Sequence, residues 1–310
     1  MLSVLIPVYN HDVNPLVTVL DQQLTHLGIP YEIIIADDCS DNSEYRKKNA
    51  SLAQLGSVQY LQNQSNMGRA KIRNRLAETA QYPYLLYIDC DAEVLHQNYI
   101  KIYLEAIETM RQEPLFVING GVAYQDKKPD NQYLLRWTYG KEREEASAAK
   151  RSLKPYHHFT PFNVILTKSL FQCINFDETL TSYGHEDTLF GCQLKEQKIP
   201  YLHIDNQLIH KGLDTNEAFL KKIRTSIDNL AKLCENQNIH DHLLEDNKLL
   251  KTYRFCRISG LRLLLRMIFK KYQAKMEQWL CGEPSMFLLD IYKLCYLATI
   301  NKTSCFKRLE

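Results

Sequence analysis

The sequence predicts an α/β fold with a mostly parallel central sheet, followed by a helical C-terminal region. Short apolar runs alternate with longer amphipathic runs through the first half of the chain, which is typical of βα units. Polar residues follow each apolar run, and only helix-like periodicity remains after about residue 215. We therefore expect an α/β domain over residues 1–215 and a helical, basic region over residues 216–310.

Boundary signals place the individual elements. Pro15 after Asn14, residues 41–43 and Gly68 are start signals for three helices, and a later helix is expected to begin near Glu186. Residues 127–155 are charged and mixed, and the sequence leaves open whether they form a helix or a mobile loop. The expected strands cover residues 3–7, 31–36, 58–61, 84–88, 115–118, 162–166 and 201–204.

Composition narrows the class of protein. The chain has 310 residues and a formal net charge of +2, and this balance argues against a whole surface that binds nucleic acid. Nine cysteines without a CxxC pair indicate a reducing compartment rather than a disulfide framework or a zinc cage. We expect neither a signal peptide nor a membrane span, hence a cytoplasmic protein with at most peripheral membrane contact.

Two carboxylates, Asp89 and Asp91, stand where the apolar run YLLYI ends. Side chains two residues apart on an extended backbone point the same way. Carboxylates are hard ligands for Mg²⁺ or Mn²⁺, and ions held in this way commonly bind substrate phosphates. The pair therefore predicts a metal and diphosphate site, although a lone DxD tripeptide also occurs by chance.

A second acidic pair, Asp37 and Asp38, follows the run over residues 31–36. One carboxylate could accept a hydrogen bond from a nucleobase or ribose while the other supports the loop. Tyr9 could stack on a base, although a lone aromatic residue after a strand usually packs. The segment NMGRAKIRN then opens a helix whose free N–H groups and cations suit phosphate, although such cations are also common on exposed helix faces.

The late helix and the last strand add three candidates. Glu186 and Asp187 stand at the expected helix start, where an Asp is often only a cap. A helix N-terminus in a crevice would also keep a carboxylate ionised, as a general base requires. His210 follows the last strand and could complete a metal site, whereas His203 lies inside the strand and is the weaker candidate.

Together these segments resemble family 2 glycosyltransferases with the GT-A fold over roughly residues 1–215. The resemblance implies nucleotide-sugar binding in residues 1–120 and an acceptor side in residues 121–215. It also implies that Asp187 is the general base beside Glu186 and that Asp91 and His210 bind a metal, with Asp89 at the ribose or in the metal shell. The donor pocket would be lined by Pro7, Tyr9, Asp37, Asp38, Asn66, Gly68 and Arg73.

The implied activity is metal-dependent transfer of a sugar to an acceptor hydroxyl with inversion, using Mn²⁺ or Mg²⁺. A UDP-hexose or UDP-N-acetylhexosamine is the expected donor. A saccharide or lipid-linked saccharide is the expected acceptor, in cell-surface polysaccharide or glycolipid synthesis. The sequence departs from the family at Cys39 and Phe162, where glycines are usual. The alternative is a non-catalytic sugar-nucleotide-binding or assembly subunit, whereas an oxidoreductase is disfavoured because no GxGxxG follows a strand.

The C-terminal region contains a basic stretch. Nine Lys and Arg residues and no Asp or Glu stand between residues 248 and 275. We expect an interfacial helix on an anionic membrane surface, with a cationic stripe of Arg262, Arg266 and Lys270. Packing of the leucines on the protein is the alternative, and nucleic acid is disfavoured because aromatic residues are not interleaved. The expected apolar face contains Leu261, Leu264, Leu265, Ile268 and Tyr272.

Overall fold

The computed structural model describes residues 1–180, 184–234 and 247–300. Its largest element is a seven-stranded sheet with strand order β3-β2-β1-β4-β8-β6-β9. The central strands β1, β4 and β8 are almost fully buried, which explains their nearly continuous apolar sequences. The strands of this sheet are β1 (Leu2–Val8), β2 (Tyr31–Asp37), β3 (Val58–Gln62), β4 (Tyr84–Ile88), β6 (Val117–Asn119), β8 (Asn163–Thr167) and β9 (Tyr201–His203).

The sheet is mostly parallel, as the sequence predicts. Strand β1 pairs in parallel with β2 and β4, β2 with β3, and β6 with β9. Strand β8 is the exception, since it runs antiparallel to both β4 and β6. Asn163 pairs with Ile88, so the first residues of β8 lie at the edge where the parallel strands end.

A second, three-stranded sheet has the order β5-β10-β7. It consists of β5 (Ala92–Glu93), β7 (Val122–Ala123) and β10 (Leu208–His210). Strand β10 pairs antiparallel with β5, and His210 stands opposite Ala92. This small sheet therefore joins the residue after Asp91 to the end of the last strand.

The helices begin where the capping signals predict. Pro15 occupies the first turn of α1, and the Asn42 side chain accepts hydrogen bonds from the amides of Glu44 and Tyr45 at the start of α2. Residues 127–155, for which the sequence left helix and loop open, contain α5, a π-helical turn at Gly140–Glu144 and α6. The helices are α1 (Asn14–Leu27), α2 (Ser43–Ser51), α3 (Arg69–Thr79), α4 (Tyr99–Thr109), α5 (Leu134–Tyr139), α6 (Ala148–Ser152), α7 (Glu186–Glu196), α8 (Asn216–Leu233), α9 (Lys248–Ile258), α10 (Arg262–Gly282) and α11 (Met286–Thr299).

Backbone contacts divide the chain into two compact units. The first contains residues 1–125, 145–181 and 186–212, and the second contains residues 126–144, 182–185 and 213–310. Short inserted segments of the second unit thus interrupt the first in sequence. The division into functional domains at residue 215 stays a prediction.

An aromatic cluster fills one side of the large sheet in the first unit. The rings of Phe159 and Phe176 each stack on Phe190 with centroids 4.6 Å apart. Tyr87 of β4 packs edge-on against Phe176 and donates a hydrogen bond to the Arg73 carbonyl of α3. This packing fixes α3 against the end of β4, where the candidate site lies.

The second unit is built mainly from α8, α9, α10 and α11. The Thr215 side chain caps α8 by accepting a hydrogen bond from the amide of Ala218. Arg224 of α8 pairs with Glu277 of α10 at 2.7 Å and also donates to the Tyr292 hydroxyl of α11. Among the described residues, no helix is both long and apolar enough to cross a membrane.

Candidate active site

The strongest cluster of charges lies at the end of β4 and centres on Arg73. Arg73 projects from α3 and is only 5% exposed. Its guanidinium Nη2 donates to Asp89 Oδ1 at 2.8 Å, and its Nη1 lies 4.0 Å from Glu186 Oε1. The Phe176 ring lies 5.8 Å below the guanidinium. Three separate segments that the sequence singled out therefore meet at one buried cation.

The cluster still has hydrogen-bonding capacity. Arg73 Nε and Nη1 have no hydrogen-bond partner within the described residues. Arg69, one turn earlier on α3, places its Nη1 3.7 Å from Glu186, and its side chain is 51% exposed. Arg69 is thus a cation of this cluster that is exposed to solvent, whereas Arg73 is enclosed. Sequence reasoning missed Arg69, because both arginines stand in the same basic segment.

The two aspartates near this cluster respond to it in opposite ways. Burial alone would raise the pKa of Asp89, but the charge and hydrogen bond of Arg73 outweigh it and hold the pKa below its ordinary value. Burial and the neighbouring charge of Glu186 raise the pKa of Asp187 to about 6. Asp187 is therefore a carboxylate of increased basicity at the start of α7, as general-base chemistry requires.

Asp91 and His210 form the second part of the site. His210 Nε2 lies 3.5 Å from Asp91 Oδ2, and the amide of Lys211 donates to the Asp91 carbonyl at 2.9 Å. A Cβ placed on Gly212 would stand only 2.0 Å from Asp91 Oδ2. A glycine is therefore needed here because the backbone approaches the carboxylate so closely, a requirement that the sequence alone did not reveal.

Aromatic rings frame this pair. The imidazole of His210 stacks on the Tyr124 ring at 5.5 Å and on the Phe162 ring at 5.3 Å. The Asp89 amide donates to the Phe162 carbonyl, so Phe162 lies between both parts of the site. The unusual Phe162 thus contributes a wall beside His210. In the described part of the chain, no three His, Cys, Asp or Glu side chains gather as a metal-binding group.

Both carboxylates of the acidic pair at the end of β2 accept hydrogen bonds from the protein. Asp37 accepts from the Ser40 amide and the Tyr60 hydroxyl. Asp38 accepts from the Asn63 side chain and from the amides of residues 67 and 68. Both carboxylates therefore shape loops at the sheet edge, and contact of Asp38 with a nucleobase stays a prediction.

The remaining candidates lie along the same edge. Tyr9, which is 47% exposed, donates to Asp41 at 2.8 Å, while Pro7 lies half-buried near the end of β1. Asn66 accepts from the Gly68 amide at 3.1 Å. Gly68 has a φ of +83° before α3, a conformation that glycine adopts without strain. The role of these residues in donor binding stays a prediction.

Comparisons with known proteins agree with this architecture. The family described as "Glycosyl transferase family 2" matches residues 3–174, more than half of the chain. An uncharacterized glycosyltransferase of Haemophilus influenzae is 33% identical over 110 residues, which span 35% of this chain and only 35% of that protein. The family match ends before Glu186, Asp187 and His210, which the structure places beside the matched motifs.

Two solved structures show the same fold at low sequence identity. The mannosyltransferase PcManGT from Pyrobaculum calidifontis, in complex with GDP-Man and Mn²⁺, is 11% identical, with a TM-score of 0.56 over 96% of this chain and 85% of that chain. TarS 1–349 of S. aureus is 16% identical, with a TM-score of 0.51 over 96% of this chain and 90% of that chain. The fold is the GT-A fold, and the chain belongs to glycosyl transferase family 2.

Proposed function

We propose that this glycosyltransferase moves a sugar from a nucleotide-diphosphate donor to an acceptor hydroxyl with inversion, using Mn²⁺ or Mg²⁺. The observation that carries the proposal is the cluster around Arg73. It brings the end of β4 and the start of α7 to the same buried guanidinium. A donor-binding carboxylate and a basic carboxylate therefore belong to one connected site.

Asp91 and His210 fit a divalent cation. Carboxylate and imidazole ligands together suit Mn²⁺, and two protein ligands leave positions for diphosphate oxygens. The glycine at position 212 supports this assignment, because the loop is shaped around the Asp91 carboxylate. A metal bound there would neutralise charge on the departing diphosphate. Asp89 is already held by Arg73, so we assign it to the ribose or to the outer metal shell.

The protein's own groups supply the rest of the reaction. Asp187 takes the proton of the acceptor hydroxyl, and Glu186 keeps the basicity of Asp187 high through its negative charge. Arg69 offers an exposed cation to the diphosphate. Arg73 holds Asp89 and Glu186 in place beside the donor. A single base opposite the leaving group corresponds to displacement with inversion.

We assign the nucleoside pocket to the loops after β1 and β2. Tyr9 is exposed there and can stack on a base, with Pro7 and Asp38 beside it and Asp37, Asn66 and Gly68 shaping the loops. A UDP-hexose or UDP-N-acetylhexosamine is our preferred donor. The structure of TarS 1–349 in complex with UDP, whose TM-score to this chain is 0.50, is consistent with this choice. The proposed acceptor is a saccharide or lipid-linked saccharide of a surface polysaccharide or glycolipid.

Titration calorimetry tests the metal and donor assignments. The parent, Asp91→Asn and His210→Ala are titrated with UDP and with UDP-sugars, with and without Mn²⁺. We expect Mn²⁺ to increase the parent's affinity and both variants to lose that increase, because each lacks one ligand. His96→Ala is the control, since His96 is exposed outside the site. Equal Mn²⁺-dependent affinity in the parent and both variants would exclude the assignment.

Release of the nucleotide separates the enzyme from a non-catalytic binding subunit. We expect the parent with Mn²⁺ to hydrolyse its donor slowly and to transfer sugar when a suitable acceptor is added. Binding of the donor without hydrolysis or transfer, across a panel of donors and acceptors, would support the binding subunit instead.

A further inference from the structure

The helical unit carries an exposed surface that mixes apolar and cationic side chains. Of the sixteen exposed large hydrophobic side chains in the described residues, nine lie between residues 255 and 287. Four of these nine come from α9 and the start of α10, with exposed fractions of 68% for Phe255, 70% for Ile258, 68% for Leu263 and 60% for Met267. Clustered exposure of this kind marks a contact surface. We call the exposed side chains of residues 248–275 the basic-apolar surface.

On α9, apolar and cationic residues share one face. Lys251, Phe255 and Ile258 follow the i, i+4, i+7 spacing of a single helical stripe, and Arg254 borders this stripe. All four side chains are exposed. The opposite face of the helix is buried and contains Leu250, Tyr253 and Cys256.

Helix α10 repeats the arrangement. Leu263, Met267, Lys270 and Lys271 occupy positions i, i+4, i+7 and i+8, so they also share a face. All four are exposed. The opposite face contributes Phe269, Met276 and Leu280 to the core of the unit. Both helices therefore keep apolar side chains in water on the side that carries their cations.

The structure corrects the face that the sequence suggested for α10. Arg262 and Arg266 are half-buried, and Arg262 donates to the carbonyl of Ile300 at 3.2 Å. Leu265 and Ile268 are half-buried as well. The exposed face instead includes Leu263 and Met267, together with Leu264, Tyr272 and Lys270 of the predicted set. The error arose because the sequence shows a periodic pattern without indicating which side packs against α11.

We propose that the basic-apolar surface docks on an anionic lipid surface. Six of the nine cations between residues 248 and 275 are exposed, and no acidic residue stands in this stretch, so the surface is complementary to anionic headgroups. Apolar side chains between the cations can enter the acyl boundary, as in interfacial helices. Each cation near such a surface increases affinity about fivefold. A protein partner would ordinarily offer acidic side chains for only part of this charge. Single-stranded nucleic acid is also disfavoured, because base stacking would need more aromatic residues on the exposed face.

Vesicle flotation tests the proposal without any donor or acceptor, so its outcome is independent of the transferase activity. The parent is mixed with phosphatidylcholine vesicles or with vesicles containing about 30% phosphatidylglycerol, at about 50 mM and about 500 mM salt. We expect binding only to the anionic vesicles and a marked loss at high salt. Equal binding to both vesicle types, or none to anionic vesicles at low salt, would overturn the proposal.

Two variants separate the charged and apolar contributions. We expect the triple variant Lys251→Glu, Lys270→Glu, Lys271→Glu to lose at least about 100-fold in affinity. The variant Phe255→Ser, Leu263→Ser, Met267→Ser keeps the cations, and we expect weaker binding that salt abolishes completely. The matched controls change exposed residues elsewhere and should bind as the parent does: Lys47→Glu, Lys127→Glu, Lys128→Glu for charge, and Leu55→Ser, Leu95→Ser, Leu153→Ser for apolar area.

A tryptophan at position 263 reports insertion directly. In Leu263→Trp, we expect the emission to shift to shorter wavelength with anionic vesicles and to be quenched by lipids brominated on their acyl chains. A Leu153→Trp control should show neither change. If the surface binds single-stranded nucleic acid but not vesicles, or if the serine variant only dissociates a dimer of this chain, the proposed partner is wrong.

Discussion

The raised pKa of Asp187 favours its proposed role as a base but lowers the stability of the fold at neutral pH. Asp187 is held as a partly buried carboxylate beside Glu186, and its pKa is raised to about 6. A raised folded-state pKa means that the ionised form is less stable in the fold than in the unfolded chain. The resulting loss of folding stability is absent below about pH 4, where the carboxyl group is protonated in both states. It reaches its full size above about pH 6, where the group is ionised in both states. Conformational stability at neutral pH is therefore lower because this carboxylate is charged.

Asp187→Asn should therefore lower the transfer activity but increase the folding stability at neutral pH. We expect transfer to fall by about 10²- to 10⁴-fold, since an amide cannot accept the proton. At pH 7.5 the free energy of unfolding should rise by about 1–2 kcal/mol, whereas at pH 4 it should not change. Urea denaturation at both pH values, together with transfer assays, measures both effects. Undiminished transfer would show that Asp187 is only a helix cap.

The same carboxylate predicts a pH profile. Transfer at low donor and acceptor concentrations should rise with pH through about 6 and then level off, because the base must be ionised. Glu186→Gln removes the charge that raises the pKa of Asp187, so the midpoint of the rise should move to lower pH. An unchanged midpoint in that variant would show that the pH profile does not report the ionisation of Asp187.

Cys39 stores backbone strain in the loop after β2. It is a non-glycine residue with a φ of +64°, a left-handed conformation that costs about 1–2 kcal/mol. Cys39→Gly should relieve this strain, but glycine also increases the conformational entropy of the unfolded chain, which opposes folding. We therefore expect the free energy of unfolding to change by about 0 to +1 kcal/mol. Cys173→Gly is the matched control, because its φ of −109° is ordinary. It should instead destabilise by about 0.5–1 kcal/mol, as urea denaturation can measure.

At the level of elements, two of the three arginines of helix α3 have contrasting environments near the candidate site. Arg73 points into the fold and pairs with Asp89, whereas Arg69 remains half in solvent one turn earlier. Removal of a buried partner leaves an uncompensated charge, which is strongly destabilising. Removal of an exposed one has little effect on stability. The helix therefore separates a structural cation from a cation that is accessible to ligands.

A pair of variants on α3 tests this separation. Arg73→Met should lower the free energy of unfolding by about 2–4 kcal/mol. Arg69→Met should change it by no more than about 0.5 kcal/mol, yet weaken nucleotide-diphosphate binding. Chemical denaturation and calorimetry together measure these effects. If Arg69→Met bound the donor as tightly as the parent, the diphosphate role of Arg69 would be excluded.

The sequence predicts these elements well where the information is local. The start of α1 at Asn14–Pro15, the start of α7 at Glu186 and the end of β4 are all confirmed, because caps and apolar runs are local signals. Strand β2 ends one residue later than predicted. The direction of β8 and the pairing of His210 with Ala92 depend on contacts between distant residues. A single sequence contains no direct record of such contacts.

The candidate site likewise combines residues that the local sequence predicts with features that depend on distant contacts. Asp89, Asp91, Asp187 and His210 could be singled out as polar residues at strand ends and a helix start. The burial of Arg73 could not, since it depends on two carboxylates that lie 16 and 113 positions farther along the chain. The need for glycine at position 212 likewise follows only from the position of the Asp91 carboxylate.

For the whole molecule, ligand binding should be visible as increased thermal stability. A ligand at about 100 times its dissociation constant stabilises the folded state by about 2.7 kcal/mol. For a chain of this size, we expect the melting temperature to rise by about 4–6 °C when a UDP-sugar and Mn²⁺ are added together. Asp91→Asn should lose the part of the shift that requires Mn²⁺. A scan of nucleotides, sugars and metals would identify the donor by the largest shift.

The reversed strand β8 has a consequence for how this scaffold can change. Because β8 runs against β4 and β6, residues before it, Phe162 included, reach the reactive edge from the opposite chain direction to the donor loops. Tyr99 and Tyr103 of α4 both donate to the Asn163 side chain and fix where β8 begins. Insertions or exchanges upstream of this anchor can therefore remodel the Phe162 side of the site while the register of β4 with β1 is kept. Under the proposed assignment of donor and acceptor sides, we expect acceptor preference to change independently of donor binding, so libraries for altered acceptor specificity belong upstream of Asn163.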